Sequence, residues 1–596
     1  MRRISTALLA AGALMVGLVT PAAPATSAPR AVDKDPVAVG YGGAVSTVDP
    51  EATRVGLRVL RRGGNAVDAA VAAAATLGVT EPYSAGIGGG GFFAYYDARS
   101  NRVHTIDGRE TAPMAMEQDA FIDPATGEPY PFFPQRVTSG ISVGVPGTPR
   151  TWELALDLWG KRSLKSALRP AIRVARRGFV VDETFRDQTA DNAERFAQIQ
   201  STAALFLPGG APPEPGSIFR NRDLARTYRL MARRGVDVFY RGPIARDIVR
   251  TVQDPPTTAD ATLPVPPGVM TLQDMRSYVA PVRRPTKVGY RGYQVYGMGP
   301  PSSGGPTVGE ALNILERFRL SGMSRTQAMH HYLEASALAF ADRNRYVGDP
   351  RYVDVPLRQL LSDKFAAERA CRISPTAALP KPVEPGTPDG EYDGTCASAG
   401  AAGAGDGGKS TTHLTVADRW GNVVAYTLTI EQTGGSGIVV PGRGFLLNNE
   451  LTDFNATPAQ GDAPDPNLIE GGKRPRSSMA PTIVLRRGEP VLAVGSPGGS
   501  TIITTVLQIL VNRLDLGMTL PEAIAAPRAS QRNTPTVSAE PDFDQQGLRA
   551  LGHTFTATEE IGAAAGVEFL RHGRLLAAAE PKRRGGGDAG VVRARR

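Results

Sequence analysis

The sequence has little cysteine and little histidine: 2 Cys and 6 His among 596 residues. These few side chains show no ligand spacing, which argues against a metal site, and we predict neither a metal nor another cofactor. Cys371 and Cys396 flank a proline-rich stretch ahead of residue 411. An exported chain tolerates a disulfide between them, although the sequence alone leaves that bond open.

Long apolar runs are also missing, except at the start of the chain. Met1-Arg2-Arg3, the apolar residues Ile4 to Val19 and a zone of small residues up to Ala28 are typical of a secretory signal peptide. We expect residues 1–28 to be removed, leaving a soluble protein that is secreted or periplasmic. A retained membrane anchor is the alternative, but the run falls short of the ~20 residues that a span needs.

Charge of one sign is not in strong excess, since 67 Lys and Arg oppose 58 Asp and Glu, a net charge of +9. The basic residues are spread along the chain without interleaved aromatic residues, which argues against a nucleic-acid partner. There is no internal repeat. At 596 residues, the chain is expected to form several domains or one large multilayer domain.

A dinucleotide-binding loop is absent as well. Residues 86–91 match the pattern G-x-G-x-x-G, but a helix is predicted before them and a strand at 92–96 after them, the reverse of the order that a nucleotide fold needs. Residues 495–500 instead join a predicted strand to a predicted helix at 501–514, where free N–H groups bind anions. A phosphate loop would have lysine in place of Ser500, so an oxyanion hole fits better.

The regular elements are signalled locally. Asp49-Pro50 predicts a helix start, Gly63-Gly64 its end, and Asn65 the cap of a second, buried helix over residues 66–77. Residues 102–110 are predicted to form a strand, and residues 150–374 to be mostly helical. Residues 444–454 are predicted to run from a strand into a turn, and further strands are predicted at 477–485 and 491–494.

The most informative stretch is a predicted hairpin of residues 410–418 and 422–431. Both runs alternate in the period of two that indicates strands, and Gly421 supplies a residue suited to the tight turn between them. Folding about this turn places Thr411 opposite residue 429 or 430. Thr427, Thr429 and Glu431 then share one face of the hairpin.

The residues before the hairpin are unlike ordered protein. Residues 397–408 consist entirely of Gly, Ala, Ser and Asp, with few side chains that can pack. A flexible tether that runs into a strand starting with threonine is what an internal self-cleavage site between Ser410 and Thr411 would look like.

Several segments together resemble the γ-glutamyltranspeptidase family: 411–413, 447–450, 473–479 and 495–500, with 63–70, 88–92 and 109–113 in the N-terminal part. The resemblance covers essentially everything after the signal peptide. It implies an α/β N-terminal-nucleophile hydrolase with a four-layer αββα sandwich. It also implies a precursor that cuts itself before Thr411 into a large subunit, 29–410, and a small subunit, 411–596, which stay associated as a heterodimer.

The same resemblance implies a reaction and a role for each site residue. The enzyme would move the γ-glutamyl group of glutathione-like donors to water, an amino acid or a peptide. Thr411 would be the nucleophile, with its own α-amino group or a water as base. The roles implied for the other residues are a hydrogen bond to the nucleophile from Thr429, an oxyanion hole at Gly498 and Gly499, carboxylate binding by Arg109, Ser477 and Ser478, and ammonium binding by Glu431, Glu450 and Asp453.

Two features depart from the family pattern. Many members have Asn where this chain has Glu431, which strengthens ammonium binding and leaves acceptor preference open. The loop 455–476 has no Tyr and is shorter than the lid of members that cover their site. A more open pocket that tolerates large donors is therefore a hypothesis.

Other interpretations compete with these. His413 is a candidate base, but we interpret it as a structural histidine because the α-amine fills that role. Glu334, Asp342 and Arg343 are interpreted as charges that support the fold. A cephalosporin or glutaryl acylase of the same fold and a secreted binding protein without catalysis are the alternative functions.

Overall fold

The computed structural model of the chain describes residues 32–392 and 410–594. The predicted signal peptide, the tether at 397–408 and Cys396 of the expected disulfide lie outside this part. Within it, none of the helices combines the length and the apolar character needed to cross a bilayer.

The described strands, in chain order, are β1 (Val37–Thr47), β2 (Gly90–Asp97), β3 (Arg102–Gly108), β4 (Phe179–Val180), β5 (Ile218–Phe219), β6 (Val282–Arg283), β7 (Thr286–Tyr290), β8 (Tyr293–Gly297), β9 (Thr412–Asp418), β10 (Val423–Thr429), β11 (Thr482–Arg486), β12 (Glu489–Gly495), β13 (Ala529–Ser530), β14 (Val537–Ala539), β15 (Phe555–Ala557), β16 (Ala565–Phe569), β17 (Leu575–Ala579) and β18 (Asp588–Ala594).

The described α-helices are α1 (Pro50–Arg61), α2 (Ala66–Thr80), α3 (Thr148–Trp159), α4 (Leu164–Arg177), α5 (Glu183–Asp191), α6 (Ala193–Ala197), α7 (Gln200–Phe206), α8 (Arg222–Arg234), α9 (Asp237–Tyr240), α10 (Pro243–Gln253), α11 (Leu272–Ser277), α12 (Gly304–Glu316), α13 (Arg325–Tyr346), α14 (Leu357–Leu360), α15 (Asp363–Ala370), α16 (Thr501–Leu514), α17 (Leu520–Ala525) and α18 (Gln546–Ala550).

The first two helices begin where their caps predict. The Asp49 side chain accepts a hydrogen bond from the Ala52 N–H at 2.9 Å and caps α1. Asn65 and Asp68 form a reciprocal capping box at the start of α2. Every residue of α2 is buried, as its nearly uniform apolar sequence predicts.

Some predicted elements differ from the observed ones. Strands β6 to β8 lie inside the segment predicted to be mostly helical, because their short alternating runs are surrounded by stronger helical patterns. The strand predicted at the start of 444–454 is reduced to an isolated bridge between Leu446 and Val439, whereas the turn predicted after it is present as the 3-10 turn Glu450–Asp453. The strand predicted from Ser477 begins at Thr482, since Ser477 bridges to Ser302 instead.

Thirteen strands form one curled sheet in the order β6-β3-β2-β10-β9-β1-β17-β16-β12-β11-β8-β7, with β18 also paired to β1. Strands from before and after residue 410 therefore alternate across the sheet. Its two halves fold over each other, so that β10 and β9 lie against β12 and β16.

Side-chain alternation along the strands gives the layers. On β10, Val424 and Tyr426 pack in a core shared with α2, whereas Val423 and Ala425 pack between the two halves of the sheet. On β12, Leu492 and Val494 pack in a third core shared with α13 and α16. Because helices cover both outer faces, the architecture is the four-layer αββα sandwich that the resemblance implied.

Candidate active site

The site is built around the open end of the β9–β10 hairpin. Thr412 pairs with Leu428, so Thr411 lies opposite Thr429, within the predicted register. The Thr411 hydroxyl donates to Thr429 Oγ1 at 3.3 Å. Both strands are buried on both faces, because the sheet is covered on each side.

The backbone at this end is unusual. Thr411 has φ of 133° and Glu431 has φ of 80°, which are unfavourable values for residues with a Cβ. The Glu431 N–H donates to Thr429 Oγ1 at 2.8 Å, which turns the chain sharply after β10. Thr429 is therefore bonded to both the Thr411 hydroxyl and the backbone of Glu431.

Two glycines allow other backbone segments to approach this end. A Cβ on Gly89 would lie 2.0 Å from the Thr429 carbonyl oxygen, and one on Gly88 would lie 2.0 Å from the Leu446 carbonyl oxygen. The Asn448 N–H also donates to the Gly88 carbonyl at 3.1 Å. These contacts fix the 446–450 segment next to β10 and so bring Glu450 to the site.

Arg109 and the predicted ammonium-binding acids contact one another. The Arg109 guanidinium forms ion pairs with Glu450 and Asp453. Its Nε and Nη2 atoms also donate to the carbonyls of Pro475 and Arg476, each at 3.1 Å. Arg109 is fully buried, so its orientation is determined by these four partners.

Glu431, the third predicted ammonium-binding acid, has hydrogen-bond partners other than Arg109. The Asn449 amide donates to Glu431 Oε2, and Thr452 Oγ1 lies 3.5 Å from the same oxygen. Burial, with Asp453 and Glu450 nearby, raises the pKa of Glu431 well above its usual value. Burial also raises the pKa of Glu450 to about 7, although Arg109 opposes the shift. The carboxyls therefore lie in surroundings that favour a cation between them.

The two predicted serines line the same cavity together with Arg343, which was not predicted to be a site residue. Ser478 Oγ accepts a hydrogen bond from Arg343 Nη2 at 2.8 Å, and Arg343 Nε donates to Ser303 Oγ at 2.8 Å. Ser477 Oγ accepts from the Met479 N–H at 3.2 Å. Our interpretation of Arg343 as only a fold-supporting charge is corrected, because it lines the site cavity.

Burial, with Arg476 nearby, lowers the pKa of Arg343 well below its usual value. An arginine in such surroundings is stabilised by an anion. Its position on α13, far from the other site residues in the chain, gave no local signal. Glu334 and Asp342 do support the fold, since they form buried ion pairs with Lys381 and Arg369.

The glycine turn before α16 lies beside Thr411. Gly498 has φ of 132° and Gly499 has φ of 56°, so both need glycine. Within the described chain, neither N–H donates to an acceptor, and Gly499 lines the same cavity as Thr411. A pair of free backbone donors at a helix start can hold an anion.

These residues enclose a cavity of about 270 Å³. The predicted residues that line it are Arg109, Ser410, Thr411, Thr429, Glu431, Glu450, Asp453, Ser477, Ser478 and Gly499. Phe454, Asn455, Ala456, Thr457 and Ala459 form one wall, so the start of the 455–476 loop contributes to the cavity. A neighbouring cavity of about 980 Å³ is lined by Gly498, Ser500, Phe132, Phe133 and Arg584, among others.

His413 has the contacts of a structural residue. Its Nδ1 lies 2.8 Å from Thr427 Oγ1 and its Nε2 lies 3.0 Å from Thr415 Oγ1. Burial lowers the pKa of His413 to about 3, so the ring is neutral near neutral pH. Gly495 packs directly against the ring.

A group of possible metal ligands lies elsewhere in the fold. His330, Glu334 and His553 are buried together, although they are distant in sequence and show no ligand spacing. Lys381 Nζ lies 2.8 Å from Glu334 Oε1, and the two histidines are hydrogen-bonded to each other at 2.8 Å. Since an ammonium already pairs with the carboxylate, these residues fit a metal ion poorly.

The chain is similar to known proteins along most of its length. The family profile described as Gamma-glutamyltranspeptidase matches residues 52–590. The chain belongs to the γ-glutamyltranspeptidase family. Two family relatives are named glutathione hydrolase proenzyme. The one from Bacillus subtilis (strain 168) is 40% identical over 591 residues, which cover 97% of each chain. The one from Escherichia coli (strain K12) is 36% identical, covering 98% of this chain and 97% of its own.

Solved structures agree on the fold of this family member. The crystal structure of cephalosporin acylase from Bacillus halodurans matches with a TM-score of 0.80 and 29% identity, covering 95% of this chain and 98% of that one. Membership in the family makes the protein an N-terminal-nucleophile enzyme of the γ-glutamyltransferase and hydrolase type. The acylase neighbour shows that the same fold also occurs with another named activity.

Proposed function

We propose that the protein is a self-processing γ-glutamyltranspeptidase and glutathione hydrolase. It cleaves the γ-glutamyl amide of glutathione and related compounds through an ester on Thr411, and passes the γ-glutamyl group to water, an amino acid or a peptide. The observation that supports the proposal most is the pair of Thr411 and Thr429 hydroxyls, 3.3 Å apart, in a cavity lined by arginine side chains as well as by carboxyl groups.

A γ-glutamyl group is a zwitterion at its α-carbon, and the cavity offers both charges. Arg109, Ser477 and Ser478 bind the α-carboxylate in this proposal, and Arg343 is added to them because it bonds Ser478 at 2.8 Å. Glu431, Glu450 and Asp453 bind the α-ammonium. Arg109 pairs with two of these acids, so the bound zwitterion would replace part of this ion-pair network.

The proposed reaction uses an amine that cleavage creates. The free α-amine of Thr411, with a reference pKa of about 7.7 to 8.0, is suited to take the hydroxyl proton near neutral pH. The hydroxyl oxygen attacks the γ-carbonyl, and the N–H groups of Gly498 and Gly499 hold the oxyanion. The amine of the donor leaves with the proton that the Thr411 amine had taken. Water or an acceptor amine then releases the γ-glutamyl group from the ester.

The proposed processing divides the chain into a large subunit, 29–410, and a small subunit, 411–596, after removal of residues 1–28 and export. The proenzyme names of the relatives support a cut, and the strain at Thr411, with φ of 133°, supports its position. Export rests on the sequence of the first residues alone.

Acylase activity is the competing function, because the fold of cephalosporin acylase is closely similar to the fold of this chain. A glutaryl group has a carboxylate but no α-ammonium, so the buried acids around Glu431 would stay unpaired or repel it. We expect release of p-nitroaniline from γ-glutamyl-p-nitroanilide and little or none from glutaryl-p-nitroanilide.

The Glu431→Gln variant is the matched control for this test. It keeps the size of the side chain and removes one charge that faces the ammonium, so the preference for the γ-glutamyl substrate should shrink by about tenfold or more. Equal or faster cleavage of the glutaryl substrate by the unmodified protein would overturn the proposed function.

A further inference from the structure

The side chain of Arg584 contacts the backbone at the proposed cut. Its Nη1 donates to the Thr411 carbonyl oxygen at 2.7 Å, and its Nη2 donates to Ser84 Oγ at 2.8 Å. The Ser410 hydroxyl lies 3.1 Å from both Ser84 Oγ and the Tyr83 carbonyl oxygen. One guanidinium and one hydroxyl therefore hold the residues on both sides of the Ser410–Thr411 bond.

The turn that carries Arg584 is fixed on several sides. The Arg584 N–H donates to Glu560 Oε2 at 2.9 Å. Lys34 Nζ donates to the carbonyls of Gly585 and Gly586 at 3.1 and 3.2 Å. Gly585 has φ of 73°, and an added Cβ would lie 2.0 Å from Thr184 Oγ1. The position of the guanidinium is thus set by packing of the turn.

The two neighbouring arginines of this turn differ in their partners. Arg583 forms ion pairs with Glu540 and Glu580, as expected of a charge that supports the fold. Among the described residues, Arg584 forms no ion pair, and its side-chain donors go to two neutral acceptors at the junction. Burial lowers the pKa of Arg584, although Glu81 and Glu560 oppose the shift. Placing a partly desolvated cation on neutral acceptors is costly, which points to a role beyond stability.

The strained backbone of Thr411 indicates what Arg584 does there. A β-branched residue with φ of 133° is unfavourable and persists only where its surroundings impose the conformation. The Arg584 hydrogen bond to the carbonyl of Thr411 is one such constraint, because it fixes the peptide plane that follows the strained φ.

We propose that Arg584 and Ser84 are positioning residues for self-cleavage, an inference that rests on the proposed function. They hold Thr411 so that its hydroxyl oxygen faces the carbonyl carbon of Ser410. The oxygen–carbon bond forms, the Ser410 C–N bond breaks, and the hydroxyl proton ends on the Thr411 nitrogen. Water then hydrolyses the ester and leaves a carboxylate on Ser410 and a free α-amine on Thr411. Arg584 keeps its proton throughout.

The contact also bears on the mature enzyme, because the carbonyl that Arg584 binds remains part of Thr411 after the cut. A positive charge close to the new α-amine disfavours the protonated amine and lowers its pKa. Removing that charge should therefore shift the acidic limb of the pH profile of kcat/KM to higher pH.

The experiment measures processing directly. Pulse-labelled precursor made by translation in vitro is chased and resolved on denaturing gels, for the unmodified chain and for Arg584→Gln, Arg584→Lys and Ser84→Ala. We expect Arg584→Gln to slow processing by about 10- to 100-fold, the range for loss of hydrogen bonds from a charged donor. Arg584→Lys should restore part of the rate, and adding Ser84→Ala to Arg584→Gln should slow it less than the two single effects combined.

Lys582→Gln is the matched control, since it removes one positive charge from an exposed side chain of the same turn and should process normally. Guanidinium ion at millimolar concentration should partly rescue an Arg584→Ala precursor, which a purely structural defect would not show. Normal processing and an unshifted pH profile in Arg584→Gln would overturn the proposal. So would slow processing with a lowered melting temperature that neither lysine nor guanidinium restores. Cutting of a Thr411→Ala precursor would instead contradict the proposed function itself.

Discussion

Thr429 accepts from the Thr411 hydroxyl at 3.3 Å and from the Glu431 N–H at 2.8 Å. Thr429→Val keeps the shape of the side chain but removes the oxygen that, in the proposed function, orients the nucleophile Thr411. We expect kcat for γ-glutamyl-p-nitroanilide to fall by about tenfold to 100-fold in steady-state assays. Thr427→Val is the matched control from the same strand face: it loses the bond to His413, so the melting temperature should fall while kcat changes little. Equal kcat in Thr429→Val and the unmodified enzyme would contradict the role of Thr429.

The acids make binding of the product L-glutamate depend on pH. Because the pKa of Glu450 is raised to about 7, this carboxyl carries a proton in the free protein below that pH and must lose it to bind an ammonium. Affinity should therefore rise by up to about tenfold per pH unit between about pH 5 and 7, with proton release seen by calorimetry in buffers of different ionisation enthalpy.

The stability of the protein without ligand should change with pH in the opposite direction from the affinity for L-glutamate. A raised carboxyl pKa gives stability that is present at low pH and is lost as pH rises through about 7. Because the predicted affinity for L-glutamate rises with pH, this ligand should raise the melting temperature more at pH 8 than at pH 5. Affinity that is flat across this range, or that falls as pH rises, would show that Glu450 does not face the ammonium.

Individual residues were predictable where the signal was local. The period of two and the position of Gly421 placed Thr411 opposite residue 429 or 430, and the observed pairing and hydrogen bond select Thr429. Arg343 and Arg584 gave no such signal, because each reaches the site from an element that is distant in sequence. Only the folded sheet brings these arginines to the hairpin.

At the scale of elements, the 88–89 segment can approach β10 only because residue 89 is glycine. A Cβ on Gly89 would lie 2.0 Å from the Thr429 carbonyl oxygen, and a backbone atom cannot give way cheaply. We expect Gly89→Ala to lower the free energy of unfolding by about 1 to 3 kcal/mol and to reduce kcat, since the end of β10 must move. Chemical denaturation and steady-state kinetics measure the two effects.

Gly289→Ala is the control for this prediction. Gly289 lies in β7, and an added Cβ there meets nothing within 4 Å, so stability and kcat should be close to those of the unmodified enzyme. If Gly89→Ala behaved like Gly289→Ala, the close approach would not position the site.

Elements were predictable to the extent that their caps and periods are strong. Helices α1 and α2 and the β9–β10 hairpin have clear turn and cap residues, and they form as predicted. Strands β6 to β8 are short and are stabilised by pairing with β3 and β11, which are distant in sequence. Their existence depends on tertiary pairing that no local pattern contains.

At the scale of the whole molecule, the strands on either side of residue 410 alternate in one sheet: β10 and β9 lie between β2 and β1, and β17 pairs with β1. A cut before Thr411 would therefore leave two fragments that share three hydrophobic cores. This arrangement explains how a processed enzyme of this family remains a single folded unit. It also explains why Arg584 and Ser84, from opposite sides of the proposed cut, can meet beside Thr411.

The central claim is that cleavage before Thr411 creates the nucleophile. N-terminal sequencing of the smaller fragment from purified protein, with the Thr411→Ala variant run beside it, tests the claim most directly. We predict that the smaller fragment begins Thr-Thr-His-Leu, and that the variant stays intact and does not hydrolyse γ-glutamyl-p-nitroanilide. A fragment that begins at another residue, or a Thr411→Ala protein that is cut and active, would contradict the account.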